Sequence, residues 1–556
     1  MNSLIPTFCA FLCMYIGYKY YSRYLAQRVF QLDDRNPTPA VSMGDGIDYV
    51  PAVKPVLFSH HFASIAGLSP IVGPAIAVIW GWLPAMLWLV IGAVLMGAVH
   101  DMAALVISIR HQGRSIGDVC ESLIGRRARI LFLFIIFIAL ALAMGMFTYL
   151  IATLLKFDAY PAASTPAILL IFLAMVLGTA MYKNVLGLRT VSVIGIIATF
   201  LFIWLGTIYP IMLGQNSWVI ILLLYALCAS VLPVWLLLQP RDYINTLSLY
   251  IGLGSLFIAV LIFAPTIVAP AVNTTVELPS MFPLLFVTIA CGAVSGFHSI
   301  VSSGTTAKQL AKESDARPVG YGAMIAECGL GIIAVLACTA GVSTSQEWYA
   351  HYDGWSAGVL QGGMTFFVQG AGTFISWMGV PLEVATTFVA LLIVSFALTT
   401  LDSGTRLLRY NLEEIGDTFN LEIFKNRYVS STLAVATVAY FAVSKLGSDL
   451  WVLFGTVNQL LAALGLLAAT VYLVRLQRNI WVTAVPMCFM FVTTLTAMIL
   501  NLKGYVTDGK TALMIVGSII LVLVIGLIIE AILFYLRWRS GEGEVVASSP
   551  EPVEPA

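Results

Sequence analysis

The chain has 556 residues, of which 60% are hydrophobic and only 10% are charged, and its formal net charge is zero. One soluble core cannot bury so much apolar surface, so the composition excludes a soluble globular protein and indicates an integral membrane protein. The zero net charge points to no particular partner, and we expect none among nucleic acids.

Apolar runs long enough to cross a bilayer recur along the whole chain. Because a helical span needs roughly 20 apolar residues, the sequence predicts an all-α polytopic membrane protein with about 15 spans. The predicted spans are 3–21, 55–80, 83–109, 129–155, 163–181, 188–208, 217–238, 246–270, 282–311, 319–342, 381–402, 428–446, 448–473, 481–500 and 512–537. Lys and Arg fall on alternate loops, so the N-terminus is predicted outside and the C-terminus in the cytoplasm.

The span at 55–80 carries glycines and prolines that should stop a helix within the bilayer. Non-helical backbone at that depth survives only where protein or water shields it, and secondary transporters use such breaks to bind substrates and ions. A second half-helix starting near Gly73 would direct its positive end at a cavity and attract a carboxylate. We therefore predict an anionic or zwitterionic substrate, and substrate-binding residues in this segment at Ser64, Ala66, Gly67, Ser69 and Gly73.

Two later spans carry similar irregularities. The span at 217–238 contains Pro233 and Trp235, and the span at 282–311 is rich in small and hydroxyl residues around Ser295 and His298. We add Trp235, Ser295 and His298 to the predicted substrate site.

Counted from 55–80 as the first core helix, these two spans are the sixth and eighth. That order predicts a leucine-transporter-like core of two inverted five-helix repeats. The predicted units are a first helix and cytoplasmic loop at 1–54, repeats at 55–208 and 217–402, accessory helices at 403–540 and a disordered acidic tail at 541–556.

Ionisable side chains within spans are costly and are therefore candidates for function. Asp101 and Glu327 could each carry a coupling proton, since burial disfavours the ionised carboxylate, and His298 could relay it. Two structural alternatives stay open, namely pairing of Asp101 with Arg110 and a hydrogen-bonded structural role for Glu327.

The alternative is a carrier of amino acids or other organic anions that is coupled to a sodium ion. Carbonyl groups of the break could bind it together with hydroxyls of Ser302, Ser303 or Thr306. Near the cytoplasmic boundary, Asp402 is predicted to pair with Arg406 one turn later. Arg241 and its neighbour Asp242 could either gate the inner mouth or anchor a helix end.

Other features are predicted to be structural. His60 and His61 are expected at the cytoplasmic interface, and the eight cysteines, without CxxC spacing, read as small apolar side chains. The stretch 343–380 is predicted to be an interfacial loop with short helices or a gate over an outer vestibule. We predict no catalytic residues, metal site or cofactor, and the sequence leaves the oligomeric state open.

Several strings in this chain resemble the carbon starvation protein A family. They are His60–Pro74, Gly97–Asp101, Leu232–Tyr243 and Cys291–Ser299, within a similarity covering about residues 50 to 410. The resemblance implies a bacterial inner-membrane transporter of the amino acid–polyamine–organocation superfamily. It also implies uptake of peptides or pyruvate during carbon starvation, with protons as the driving ion.

Two other functional classes, a membrane redox enzyme and a channel, fit the sequence less well. A haem–copper oxidase subunit needs more intramembrane histidines than the six in this chain provide, because His111 and His351 fall in predicted loops. A channel would need a repeated filter motif of the kind that lines a selective pore. The sequence therefore favours a carrier that binds a small-molecule substrate and a proton or Na⁺ within the lipid bilayer.

Overall fold

A computed structural model describes residues 1–46, 49–183, 185–233, 236–275, 278–355, 357–444 and 447–540. These residues are helical apart from loops and two isolated β-bridges. Ten of their helices are long and apolar enough to cross a membrane, and a bent helix pair brings the number to eleven. The all-helical, multi-pass prediction is confirmed, whereas the structure does not support 15 full spans. The predicted tail at 541–556 lies outside the described residues.

The helices of the first half are numbered here in chain order. They are α1 (Leu4–Ile16), α2 (Lys54–Ile65), α3 (Ser69–Ala77), α4 (Trp82–Arg110), α5 (Arg126–Leu155), α6 (Ser164–Tyr182), α7 (Leu188–Ile208), α8 (Gln215–Val231) and α9 (Leu238–Phe263). Short unnumbered helices occur at Pro39–Ser42 and Ile116–Leu123, and π-helical turns continue α1 to Val29.

The second half continues the same numbering. It contains α10 (Met281–Thr288), α11 (Phe297–Val301), α12 (Gly322–Ala340), α13 (Ala357–Ser376), α14 (Leu382–Phe419), α15 (Arg427–Val443), α16 (Gly447–Arg475), α17 (Trp481–Thr507) and α18 (Thr511–Ser540). Two apolar helices, α8 and α15, are shorter than a full span, which accounts for part of the difference from the predicted count.

The predicted interruption in the span at 55–80 is present between α2 and α3. Ala66 leaves helical geometry, and the two halves are bent by 49°. Pro70, in the first turn of α3, has no N–H to continue the ladder of α2. We call residues 66–68 the Gly67 break. The second half begins at Ser69, so the prediction that it starts near Gly73 is wrong.

Gly73 lies inside α3, where it permits a close helix crossing. A Cβ on Gly73 would lie 2.5 Å from the backbone oxygen of Thr288, the last residue of α10. The predicted role of Gly73 in substrate binding is therefore not supported, because its open face is filled by another backbone.

A second interruption occurs between α10 and α11, in a span that the sequence predicts as continuous. Residues 289–296, which we call the Cys291 break, are not helical, and α11 begins at Phe297. The α8–α9 connection contains Pro233, and α9 starts at Leu238 rather than near 246. Trp235 lies outside the described residues.

The stretch 343–380 is more ordered into helices than the sequence predicts. It contains Ser345–His351 and the 20-residue helix α13. Trp348 and Tyr352 are fully buried, and the Tyr352 hydroxyl donates a 2.6 Å hydrogen bond to the Ala75 carbonyl at the end of α3. This region is thus packed against the broken helix.

Candidate functional site

The Gly67 and Cys291 breaks meet at a small cavity. Its volume is about 10 Å³, room for roughly one water molecule. The cavity is lined by Ile65, Gly67, Ser69, Ala143, Met144, Phe147, Cys291, Phe297, Thr400 and Phe454. The lining is apolar except for a few polar groups from the two breaks and from α14, as is usual for a small-molecule site.

Polar groups at the Gly67 break have no partners among the described residues. The backbone N–H groups of Leu68 and Ser69 donate no hydrogen bond there, and the hydroxyls of Ser69 and Thr400 are buried and unpartnered. Buried polar groups normally have partners. Because the amino-terminal end of α3 lies at the cavity, these donors could bind a carboxylate.

A cluster of buried ionisable side chains lies beside the cavity. His298 Nδ1 is 2.7 Å from Asp101 Oδ2, and His298 Nε2 is 3.2 Å from Glu327 Oε2. His100 Nδ1 contacts the other Asp101 oxygen at 2.9 Å. All four side chains are completely buried. We call Asp101, His298, Glu327 and His100 the acid–imidazole cluster.

This cluster joins three residues that the sequence singled out separately. Asp101 comes from α4, His298 from α11 and Glu327 from α12. The alternative pairing of Asp101 with Arg110 does not occur, because Arg110 binds Glu313 and the backbone near Phe30. An imidazole between two carboxylates is an arrangement that can accept, hold and release a proton.

Cys291 connects the cavity to the acid–imidazole cluster. It lines the cavity, and its sulfur lies within 4.8 Å of ligand atoms of His298 and Glu327. These three atoms could approach one metal ion. However, the thiol already donates to Ser295 and the imidazole faces two carboxylates, so we interpret the set as part of a hydrogen-bonded cluster.

The predicted sodium-binding hydroxyls face other groups. Thr306 bonds His61 Nδ1 at 2.8 Å, and Ser303 accepts from the backbone N–H of Ile116 while donating to the Ser299 carbonyl. The Ser302 hydroxyl is buried without a partner in the described chain. The structure therefore places Thr306 and Ser303 in contacts within the protein. His61 is fully buried within the protein, where its Nδ1 faces Thr306.

The remaining substrate-binding predictions divide between the two breaks. Gly67 and Ser69 line the cavity. Ser64 and Ala66 are buried nearby in the chain but are not among the lining residues. Ser295 lies in the Cys291 break and faces α16 rather than the cavity.

A buried ionic cluster holds the α8–α9 connection. Arg241 donates to Asp402 and to Tyr225, and the Tyr225 hydroxyl also donates to Asp402 at 2.6 Å. Arg406 donates instead to the backbone carbonyls of Ala229 and Leu232 at 2.7 Å. The predicted Asp402–Arg406 pair is therefore wrong, because Asp402 binds Arg241 from another helix.

Sequence reasoning missed Thr400 and Asn458. Asn458 contacts Cys291, Ser295 and the backbone of Phe297 from within α16. The signal was available, because an Asn-Gln pair in an apolar span is a costly polar insertion of the kind that marks functional helices.

Apolar spans, two interrupted helices that meet in the core, and a buried acid–imidazole cluster define a multi-pass membrane protein of the carrier class. Comparison with known proteins refines this class. Residues 2–351 and 339–497 match the family described as Carbon starvation protein CstA. The chain belongs to this family.

Two relatives and one solved structure illustrate the similarity. The Peptide transporter CstA of Campylobacter jejuni is 33% identical over 92% of this chain and 82% of its own length. The Pyruvate/proton symporter BtsT of Escherichia coli is 32% identical over 89% of this chain and 81% of its own length. A crystal structure of the Eremococcus coleocola manganese transporter aligns with a TM-score of 0.49 at 12% identity, covering 90% of this chain and 99% of that chain.

Proposed function

We propose that the protein is a secondary active transporter that imports a small carboxylate-bearing nutrient, pyruvate or a peptide, by proton symport with alternating access. The observation that carries this proposal is the buried Asp101–His298–Glu327 arrangement beside the cavity. The names of the relatives, a peptide transporter and a pyruvate/proton symporter, agree with it.

The acid–imidazole cluster supplies a simple basis for coupling. An imidazolium (+1) between two carboxylates (−2) leaves a net charge of −1 in a fully buried place. Uncompensated buried charge is costly, so binding one further proton stabilises the cluster within the membrane. We propose that this proton, held on Glu327, is the one that crosses with the substrate.

The Gly67 break supplies the substrate site. The free N–H groups and hydroxyls at the start of α3 can bind a carboxylate, while the surrounding apolar side chains suit a short carbon skeleton. The cavity is far smaller than the roughly 300–1,000 Å³ typical of ligand pockets, so its size in this conformation does not favour pyruvate over a peptide.

The same proposal includes the arrangement of the chain in the membrane. We propose inverted repeats at 55–208 and 217–402, with accessory helices at 403–540, in a bacterial inner membrane. The N-terminus is placed outside and the C-terminus inside, as the distribution of Lys and Arg suggests. The break at 66–68 and the end of α8 at Val231 support this division, since each falls in the first predicted span of a proposed repeat.

Reconstituted protein tests this function. Proteoliposomes are given labelled pyruvate or labelled dialanine under an imposed pH gradient, an imposed Na⁺ gradient or neither. We expect pyruvate accumulation that requires the pH gradient and collapses with a protonophore. Accumulation driven by Na⁺ alone would contradict proton symport, and uptake of neither compound would contradict the proposed substrate class.

A further inference from the structure

Asn458 of α16 binds the Cys291 break through both its side chain and its backbone. The side-chain oxygen accepts from the Phe297 N–H at 3.0 Å, and the side-chain nitrogen contacts Ser295 Oγ at 3.1 Å and Cys291 Sγ at 3.3 Å. The Asn458 carbonyl accepts from the Gly296 N–H at 3.0 Å. Asn458 is almost fully buried, so these hydrogen bonds are shielded from water.

The close approach of α16 fixes the position of this break. A Cβ on Gly296 would lie 2.4 Å from the Asn458 carbonyl oxygen and 2.4 Å from Leu461 Cβ. Interiors packed this tightly transmit small displacements instead of absorbing them. The break therefore moves with respect to α16 only if the Asn458 hydrogen bonds change.

The groups held by Asn458 belong both to the substrate cavity and to the proton-binding cluster. Cys291 and Phe297 line the cavity, and His298, the residue after Phe297, lies between Asp101 and Glu327. A substrate that presses on Cys291 or Phe297 thus acts on the backbone that sets the position of the His298 ring.

We propose that Asn458 is the positioning residue that couples occupation of the cavity to proton binding by the acid–imidazole cluster. The inference rests on the proposed function. Asn458 touches no substrate in this account. It holds the Cys291 break so that filling the cavity changes the distances of His298 from Asp101 and Glu327. Loss of its side chain removes the contacts with Cys291, Ser295 and Phe297 and leaves only the backbone hydrogen bond to Gly296.

The test separates substrate exchange from proton-driven accumulation. Proteoliposomes with Asn458→Ala are assayed for labelled-pyruvate counterflow at equal pH on both sides, and for accumulation under a pH gradient. We expect counterflow within about threefold of the wild type, accumulation lowered at least about tenfold, and a flatter pH dependence of half-saturation. Thr456→Ala is the matched control, because Thr456 is buried in the same helix and bonds Val452 and Asn501 instead.

The outcomes distinguish coupling from a merely structural role. Equal loss of counterflow and accumulation, or no loss of either, would overturn the role of Asn458. If Asn458→Ala is not monodisperse after purification, Asn458→Ser, which keeps a hydroxyl near the break, undergoes the same comparison. Failure of the proposed function is recognised separately, because wild-type accumulation would then ignore the pH gradient.

Discussion

Substitution of Gly67 tests whether the first break needs its open backbone. A Cβ at Gly67 would lie 2.7 Å from Thr400 Oγ1 and 3.2 Å from Thr400 Cβ and Cγ2. Overpacking of a buried site costs about 1–3 kcal/mol, which corresponds to roughly a 5- to 150-fold change in an equilibrium. We expect Gly67→Ala to lower pyruvate transport within that range, and Gly67→Leu, whose side chain also fills the cavity, to abolish it.

A double-mutant cycle in proteoliposomes checks whether the loss of transport comes from the clash with Thr400. Thr400→Ala removes Oγ1 and Cγ2, so adding Gly67→Ala in that background should lower the initial rate less than about fivefold. Gly254→Ala is the control, because a Cβ there meets nothing within 4 Å. Equal losses from Gly67→Ala with and without Thr400 would refute the steric reasoning, as would full activity of Gly67→Leu.

Two further predictions concern stability, measured as thermal unfolding in detergent. Arg241→Ala or Asp402→Ala leaves a buried charge unpaired and should lower the free energy of unfolding by about 3–5 kcal/mol, with less than additive loss in the double variant. Strict additivity would contradict a direct ion pair. Burial of His351 lowers its pKa from 6.5, so its contribution to stability is present above that value and lost as pH falls. His351→Phe keeps a ring stacked on Phe366 but carries no titratable group. Its free energy of unfolding, relative to that of the wild type, should therefore be higher at pH 5 than at pH 8. An equal difference between variant and wild type at the two pH values would contradict this.

The sequence predicted the Gly67 break because its cause is local. Proline lacks an N–H and glycine tolerates unusual backbone, and both effects are visible in the residues themselves. The Cys291 break has no proline within it, and its geometry depends on α16, where the Asn458 carbonyl leaves room only for hydrogen at Gly296. A contact between residues so far apart in the chain leaves no local signal.

The charged residues show the same limit. The cost of burial identified Asp101 and Glu327 as unusual, but only the packing of three helices showed that His298 lies between them. For Asp402 the local i,i+4 rule favoured Arg406. In the structure Asp402 pairs with Arg241 instead, because the buried start of α9 brings this guanidinium directly to the carboxylate.

Proton entry driven by pyruvate shows whether Glu327 and its cluster bind the transported proton. Proteoliposomes containing a pH-sensitive dye receive external pyruvate, and internal acidification is recorded for wild type and for Glu327→Gln, which imitates the protonated carboxyl. We expect acidification in the wild type, at least about a tenfold slower response in the variant, and retained pyruvate counterflow in both. Acidification by Glu327→Gln at the wild-type rate would mean that Glu327 does not bind the transported proton.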